Sequence, residues 1–349
     1  MYKHNFVIFG SSWDLYKFSF SDVYEMENVQ YIPLPFSGIK KYIYALYKRL
    51  MRLFPTSSVL AIIWLKFFSN KNFAEQKPIC FIYLWGVLTD NYTSQTIRYL
   101  KKKYPNCKHV LFNTDLIATR NSKYTGYDAK RDYDLVLSFD PGDCTKYGLI
   151  YHPLVFSHYN SNNYPLKYDV FFLGQAKNRL KEIYDLYDLL TNCNLKVKFL
   201  LKGVEDKDKR IGDGLEYFTK NISYSDNLKY IEESKCVLEI MQKGGTGYTQ
   251  RGCEVVGLNK KLLTNNPYIK NAPFYNEKYI STFDAVDNID VNFLKRLVGD
   301  EVVEYGKEYR KKMSPKELLE FVEEMLEFFW IIVRMLYICG AFVIGQYEN

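Results

Sequence analysis

Short apolar runs alternate with amphipathic stretches along this chain, and the alternation occurs twice. The apolar runs lie at 5–9, 79–85, 108–112 and 135–138 in the first half, and at 169–174, 195–201, 236–240, 260–263 and 279–283 in the second. Apolar runs separated by helical stretches are typical of βαβ units, whose parallel strands are buried on both faces. The sequence therefore predicts an α/β protein with parallel sheets.

A polar segment separates the two halves. Residues 160–165 read NSNNYP, a composition typical of a linker, and the strand pattern begins again directly after them. A chain of 349 residues holds about two domains of ordinary size. We predict a first domain over 1–162, a second over 163–327, and an apolar tail over 328–349.

A glycine-rich stretch, residues 241–254, follows the apolar run 236–240 and precedes a predicted helix at 251–258. Its glycines, Gly244, Gly245 and Gly247, let backbone N–H groups approach a ligand closely, and a following helix adds partial positive charge. Thr249 supplies a hydroxyl, Arg251 a guanidinium suited to phosphate oxygens, and Glu254 an acceptor for ribose hydroxyls. The stretch predicts a phosphate site; the alternative is a glycine-rich turn capped by a surface helix.

Two aspartates follow predicted strands of the first half. Asp115 comes after the run 108–112, and Asp140 after the run 135–138. In open α/β sheets the carboxyl ends of the strands face the ligand crevice, so both are candidate acid/base groups. The alternative is that turns favour Asp for local reasons. Asp14 and His152 are further candidates for a base in this half.

The net positive charge of the chain belongs to its first half. Residues 1–160 contain 20 Lys/Arg and 12 Asp/Glu, whereas 161–349 contain 27 and 28. Much of this charge lies on a predicted helix over 39–54, which has an apolar arc and a basic arc. The pattern is typical of contact with an anionic membrane surface, or of a helix that packs its apolar arc on the core.

Two other apolar segments bear on membrane contact. The run 58–68 is about half the ~20 residues that a span requires, so we expect a core helix. The segment 328–345 has a single charge, Arg334, and a central arginine costs ~2.5–3.5 kcal/mol on insertion scales. We expect this tail to pack against the domains or to lie in the membrane interface rather than to cross.

The spacing of the cysteines, histidines and first glycines disfavours several classes of protein and of site. The seven cysteines show no CxxC spacing, which predicts reduced thiols in a cytoplasmic protein, and no secretory signal opens the chain. Four histidines without paired spacing predict no metal site. Gly10 is followed by SSWD rather than a GxGxxG fingerprint, which disfavours a dehydrogenase, and no nucleic-acid-binding motif is present.

Four segments together resemble a known family. They are DVFFLG at 169–174, GGTGYTQR at 244–251, KKLLTNN at 260–266 and FYN at 274–276. They resemble glycosyltransferases of bacterial capsule and lipopolysaccharide clusters, which have the GT-B fold and the pattern G-Q-T-G-L-T-x-R-x-x-E, then K-K-L-I-T-x-N and F-Y-N. The resemblance covers about residues 168–285 well and the first half loosely.

The resemblance implies two Rossmann-like domains that face each other across a cleft. It implies a metal-independent enzyme without a cofactor, which transfers a hexose-like sugar from a nucleotide-diphosphate sugar to a surface-glycan or lipid-linked acceptor. This enzyme would lie in the cytoplasm, with peripheral contact to the inner face of the membrane. The second domain would bind the donor through Arg251 and Arg179 on the diphosphate, the backbone of 244–247, and Glu254 on the ribose. The matched segments also contain Gly174, Asn265 and Asn266.

The sequence departs from the family in two places. Gly245 stands where the family has Gln, so one side-chain contact is missing. In the E-x7-E pattern of many retaining enzymes, the first glutamate would fall at Thr246. Retention and inversion of the sugar configuration both stay open, and a non-catalytic nucleotide- or sugar-binding protein with the GT-B fold is the alternative function.

Overall fold

The protein contains two parallel α/β sheets, as the sequence predicts. The computed structural model describes residues 2–34, 37–54, 59–60, 73, 75–84, 97–98, 100–102, 104, 106–119, 126–241, 244–299 and 301–338. Within these residues each sheet has six strands, and every pair of neighbouring strands is parallel.

The first sheet belongs to the first half of the chain. Its strands are β1 (Asn5–Ser11), β2 (Val29–Leu34), β3 (Ile79–Leu84), β4 (Lys108–Asn113), β5 (Leu135–Ser138) and β6 (Ile150–Tyr151), in the order β2-β1-β3-β4-β5-β6. The four predicted strands are present. The sequence did not predict β2, which contains Pro33; a proline is tolerated there because β2 is an edge strand.

The second sheet has the order of a doubly wound nucleotide-binding fold. Its strands are β7 (Tyr168–Gln175), β8 (Val197–Lys202), β9 (Leu215–Phe218), β10 (Ser234–Glu239), β11 (Lys261–Thr264) and β12 (Ile280–Thr282). Their order is β12-β11-β10-β7-β8-β9, so the direction of winding reverses between β7 and β10. In such sheets ligands bind at this switch point, outside the carboxyl ends of the strands.

Helices cover the sheets. They are α1 (Asp14–Ser19), α2 (Ile39–Leu53), α3 (Gly126–Asp132), α4 (Pro141–Tyr147), α5 (Leu180–Asn192), α6 (Tyr224–Glu232), α7 (Gln250–Leu258), α8 (Val291–Val298), α9 (Lys307–Lys312) and α10 (Pro315–Ile338). One apolar core lies within each domain, and a third spans both, with Phe112 of the first domain and Phe171 of the second among its members.

The last helix returns to the first domain. The Glu323 carboxylate accepts hydrogen bonds from the backbone N–H groups of Lys3 and His4, both at 2.8 Å. The Phe321 ring lies 5.1 Å from the ring of His152. The chain therefore crosses between the domains twice, once over residues 152–167 and once near Met313, and the N–H of Phe156 joins the two crossings by bonding the Met313 carbonyl at 2.7 Å.

The sequence predictions on membrane segments fall partly outside the described residues. The tail is helical as far as Ile338, and residues 339–349 lie outside them. Of the predicted core helix at 58–68, only 59–60 are described, and these are helical. In the part of the chain that the structure describes, no helix combines the length and apolar character that a membrane span needs. The six described cysteines are free thiols.

Candidate functional site

A cavity of about 290 Å³ lies at the switch point of the second sheet. The second domain lines it with Phe172, Leu173, Gly174, Arg179, Leu238, Glu239, Ile240, Met241, Gly245, Thr249 and Arg251, and the first domain with Asp115, Leu116 and Phe139. The cavity is therefore part of the cleft between the two domains. We call it the switch-point cavity.

The glycine-rich loop that borders this cavity is held by Asp140 of the first domain. The Asp140 carboxylate accepts the N–H of Thr246 at 2.5 Å, the N–H of Gly247 at 2.9 Å and the Thr246 hydroxyl at 3.1 Å. It also caps α4 by accepting the N–H of Asp143 at 2.9 Å, and the side chain is buried. Asp140 does not line the switch-point cavity. The three bonds to Thr246 and Gly247 form a clasp between the domains, which we call the Asp140 clasp.

Glycine is required where the loop meets the first domain. A Cβ on Gly247 would lie 2.6 Å from the Phe139 carbonyl oxygen, closer than real Cβ contacts allow. Gly244 has φ of +106°, in the region that side chains disfavour. Gly245 lines the cavity. The loop thus presses its backbone against the carboxyl end of β5.

Arg251 lies in the first turn of α7 and lines the switch-point cavity. One guanidinium nitrogen bonds the Glu254 carboxylate at 2.5 Å and the Asn227 side chain at 3.0 Å, and the other bonds the Leu173 carbonyl at 3.2 Å. Glu254 is buried and also accepts the Tyr224 hydroxyl at 2.8 Å. Glu254 does not line the cavity, and its carboxylate orients the Arg251 guanidinium through their hydrogen bond.

A second guanidinium enters the same cavity from the other side of the switch point. Arg179 donates to the carbonyls of Ile240 and of Gln175, the latter at 2.8 Å. Its Nε is buried and has no hydrogen-bond partner among the described residues. Burial lowers the pKa of Arg179, which reflects the cost of keeping this cation away from water. Two arginines therefore face one cavity, which is an arrangement suited to a diphosphate.

Glu239 is a site residue that the sequence reasoning missed. It ends β10, lines the cavity, and accepts the hydroxyls of Thr249 and of Thr264, the latter at 2.6 Å. Burial raises the pKa of Glu239. Thr249 also caps α7 by accepting the N–H of Arg251 at 3.1 Å. A carboxylate within the apolar run 236–240, directly before the glycine-rich stretch, was the signal that could have identified Glu239.

The two asparagines of the third matched segment support the loop from outside the cavity. The Asn265 side-chain oxygen accepts the N–H of Met241 at 2.6 Å. The Asn266 amide donates to the Gly247 carbonyl at 3.1 Å, and its oxygen caps the turn that begins at Pro267. These contacts fix both ends of the glycine-rich loop. Gly174, at the end of β7, does line the cavity.

Of the four candidate bases, Asp115 alone lines the switch-point cavity. Its side chain is exposed, and its carboxylate accepts the N–H of Leu116 at 2.9 Å. His152 is buried, bonds the Pro153 carbonyl at 2.7 Å, and has its pKa lowered by burial to about 4. Asp14 is exposed and lies 3.7 Å from Lys17. Among the described residues, no group of three His, Cys, Asp or Glu side chains is placed to hold a metal ion.

Comparison with known proteins identifies the fold. No family model matches the chain, and no curated protein matches it. A structure of TarM aligns with a TM-score of 0.52 at 13% identity over 77% of this chain, which spans only 58% of the length of TarM. An α-glucosyltransferase solved with UDP and a 13-mer DNA aligns with a TM-score of 0.52 at 10% identity, over 92% of this chain and 94% of its own.

A glycosyltransferase from Rickettsia africae aligns with a TM-score of 0.50 at 9% identity, over 93% of this chain and 98% of its own. Identities this low bear on the fold alone. The chain has the GT-B fold, with two Rossmann-like domains that face each other across a cleft.

Proposed function

We propose that this protein is a glycosyltransferase that moves a sugar from a nucleotide-diphosphate sugar to an acceptor hydroxyl. The observation that carries the proposal is the pairing of Arg179 and Arg251 in one cavity at the switch point of the second sheet. Both guanidiniums are oriented by carbonyls or carboxylates, so they meet an incoming diphosphate with little reorganisation. The amino terminus of α7, which follows the glycine-rich loop, adds a partial positive charge.

In this proposal the diphosphate leaves and the acceptor attacks from the first domain. The acceptor oxygen bonds to the anomeric carbon of the sugar, the bond from that carbon to the diphosphate breaks, and Asp115 takes the acceptor proton. The arginines stabilise the charge that develops on the departing diphosphate, as protein cations can without a metal. Glu254 acts by positioning Arg251. We assign the ribose contact to Glu239 instead, because Glu239 is the carboxylate of the second domain that lines the cavity.

Calorimetry with a panel of nucleoside diphosphates tests the donor site. UDP is the first choice, because an α-glucosyltransferase of the same fold was solved with it. We expect one diphosphate to bind, and Arg251→Lys to weaken it about tenfold because a lysine loses the bidentate fork. The matched control is Arg210→Lys, since Arg210 is paired with Asp188 at 3.0 Å and does not line the cavity. If no nucleoside diphosphate binds, or if Arg251→Lys and Arg210→Lys bind it equally well, the switch-point cavity is not the donor site.

The acceptor we propose is a surface glycan or a lipid-linked glycan, and α2 supports it. Four apolar side chains of this helix, Ile39, Tyr42, Leu46 and Leu53, are 57–76% exposed and lie on one stripe. Tyr47 on another face is buried against the core. The exposed residue Arg49 borders the stripe, and the exposed residues Lys40 and Lys41 lie on other faces of the same helix. An exposed apolar stripe beside cations fits the interface of an anionic membrane.

Vesicle sedimentation tests this contact. We expect the protein to bind vesicles that contain phosphatidylglycerol. Ile39→Ser with Leu46→Ser should reduce binding by up to about 10³-fold, since each fully buried side chain contributes on the order of 2 kcal/mol and about 1.4 kcal/mol is a factor of ten. Ile211→Ser is the control, because Ile211 is fully exposed on the second domain. Equal vesicle binding by the double variant and the control would remove the membrane from the proposal.

The alternative is a protein that binds the nucleotide without transferring a sugar. Asp140, one of the two carboxylates predicted to be catalytic, is engaged by four protein hydrogen bonds, which favours this alternative. Release of nucleoside diphosphate from a bound donor in the presence of glycan extracts separates the two. Tight donor binding with no release above the rate of spontaneous hydrolysis would support the alternative.

A further inference from the structure

A second cavity, of about 420 Å³, lies at the carboxyl end of α7. Both crossings between the domains contribute to its lining, together with Asp22 and Gly257. The other lining residues are 156–159, Lys307, Arg310, Lys311, Met313, Ser314 and Lys316. The switch-point cavity lies at the other end of the same helix, about 10 Å away at the helical rise of about 1.5 Å per residue. The two cavities are therefore separate, and we call this one the crossing cavity.

The lining of the crossing cavity carries more positive than negative charge. Lys307, Arg310, Lys311 and Lys316 face one carboxylate of the lining, Asp22, which already accepts the N–H of His158 at 2.8 Å. Lys311 lies 3.8 Å from Glu317. In the described part of the chain, Lys307 and Lys316 have no ion-pair partner. Cations crowded around one space repel each other, and an anion in that space relieves the repulsion.

Part of the remaining wall is apolar. Phe156 and Met313 are buried, and the ring of Phe156 packs against Gly257 of α7. The Ser157 hydroxyl is already used, because it donates to the Ser19 carbonyl at 3.0 Å and accepts the N–H of Asp22 at 3.1 Å. The cavity thus offers cations on one side and apolar surface on the other. Such a combination suits an anion that carries an organic group.

We propose that the crossing cavity binds a phosphate-bearing ligand, with the phosphate on Lys307, Arg310 and Lys316 and the organic part against Phe156 and Met313. Clustered Lys and Arg donors are the groups that phosphate oxygens bind most strongly. The phosphate could belong to a soluble ester or to a lipid headgroup. Both sources share the same chemistry and are separated by the test. The site is independent of the donor site proposed above.

Titration with pyrophosphate and with vesicles of phosphatidylglycerol tests the proposal. The test variant is Lys307→Ala with Lys316→Ala, both exposed residues whose loss leaves the core intact. The control is Lys312→Ala, an exposed lysine of α9 that does not line the cavity. We expect the double variant to lose about tenfold in affinity for at least one of the two probes, as the loss of charge-assisted bonds predicts.

Pyrophosphate also fits the switch-point cavity, so Arg251→Lys is titrated in parallel. We expect the wild type to bind pyrophosphate at both cavities. If the double variant loses binding at the crossing cavity while Arg251→Lys weakens binding at the switch-point cavity, the result supports a soluble ligand. Loss of vesicle binding alone supports a lipid headgroup. If the double variant binds both probes as the wild type does, or if Lys312→Ala weakens them equally, the crossing cavity is not a phosphate site.

Discussion

Asp115 is the residue on which the proposed chemistry depends most. It lines the switch-point cavity from the first domain, opposite the two arginines. We expect Asp115→Asn to lower kcat about 10²–10⁴-fold, the usual contribution of a general base, and to leave nucleotide affinity unchanged. The measurement is sugar transfer together with calorimetry. Asp14→Asn is the control, since Asp14 is an exposed aspartate of the same domain outside the cavity; a matching loss there would refute the assignment.

His152 makes the stability of the protein sensitive to acid. Burial lowers its pKa from 6.5 to about 4, so the folded state stays neutral while the unfolded chain takes up a proton. The free energy of unfolding therefore falls as pH decreases from about 6.5 to about 4, by up to about 3 kcal/mol at 1.36 kcal/mol per unit. His109, whose pKa is lowered to about 3, acts in the same direction.

Thermal melting between pH 7 and pH 4 measures this effect. We expect His152→Phe to reduce the loss of Tm over that range, whatever its effect on Tm at pH 7. His158→Gln is the control, because His158 is exposed and the imidazole is not withdrawn from water. A pH dependence that is the same in wild type and His152→Phe would show that another group governs the acid sensitivity.

At the residue scale, the sequence singled out residues that lie together in the structure, but it did not predict what each one contacts. Arg179 and Arg251, which the resemblance assigns to the diphosphate, both line the switch-point cavity, and their binding of a diphosphate stays a prediction. Asp140 and Glu254 instead bond protein groups, and the partners of Asp140 lie 106 and 107 positions away in the chain. Contacts over such separations depend on how the domains meet, which a local pattern does not contain.

The glycine-rich loop is the element that joins donor binding to domain contact. We expect Gly247→Ala to destabilise the protein by about 1–3 kcal/mol, because the new Cβ would force the loop away from the Phe139 carbonyl. The same shift should pull Thr246 from the Asp140 clasp and weaken nucleotide binding. Denaturant unfolding and calorimetry measure the two effects.

Gly299→Ala is the matched control for this variant. Gly299 follows α8, and a Cβ there meets nothing within 4 Å. If Gly299→Ala destabilised the protein as much as Gly247→Ala, the close approach of the loop to β5 would not be the cause. Among the strands, the sequence missed β2, β6 and β9. β2 carries a proline, β6 has only two residues, and β9 lies at the end of a polar, glycine-containing stretch.

At the scale of the whole molecule, α10 fastens the second half of the chain to the first domain. Glu323 accepts the N–H groups of Lys3 and His4 and lies 3.1 Å from the His4 ring nitrogen. We expect Glu323→Ala to cost about 1–3 kcal/mol of unfolding free energy, because these donors lose their partner. Chemical denaturation measures it. Glu324→Ala changes the next, exposed residue, and an equal cost there would contradict the role of Glu323.

The overall architecture was predictable because it depends on repeated local patterns. Two series of buried strands with helices between them, divided by the polar segment 160–165, specify two parallel sheets. The return of α10 was not predictable, since its apolar pattern alone indicates no particular partner. The same holds for α2, whose predicted apolar arc divides between the core and solvent.

The two crossings of the chain have a consequence for how the cleft opens. A single covalent connection would leave three rotational degrees of freedom between the domains. Two connections, near residues 152–167 and Met313, leave one easy rotation, about the line that joins them. We expect any opening of the cleft to move the switch-point cavity and the Asp140 clasp more than the crossing cavity, which residues of both connections line.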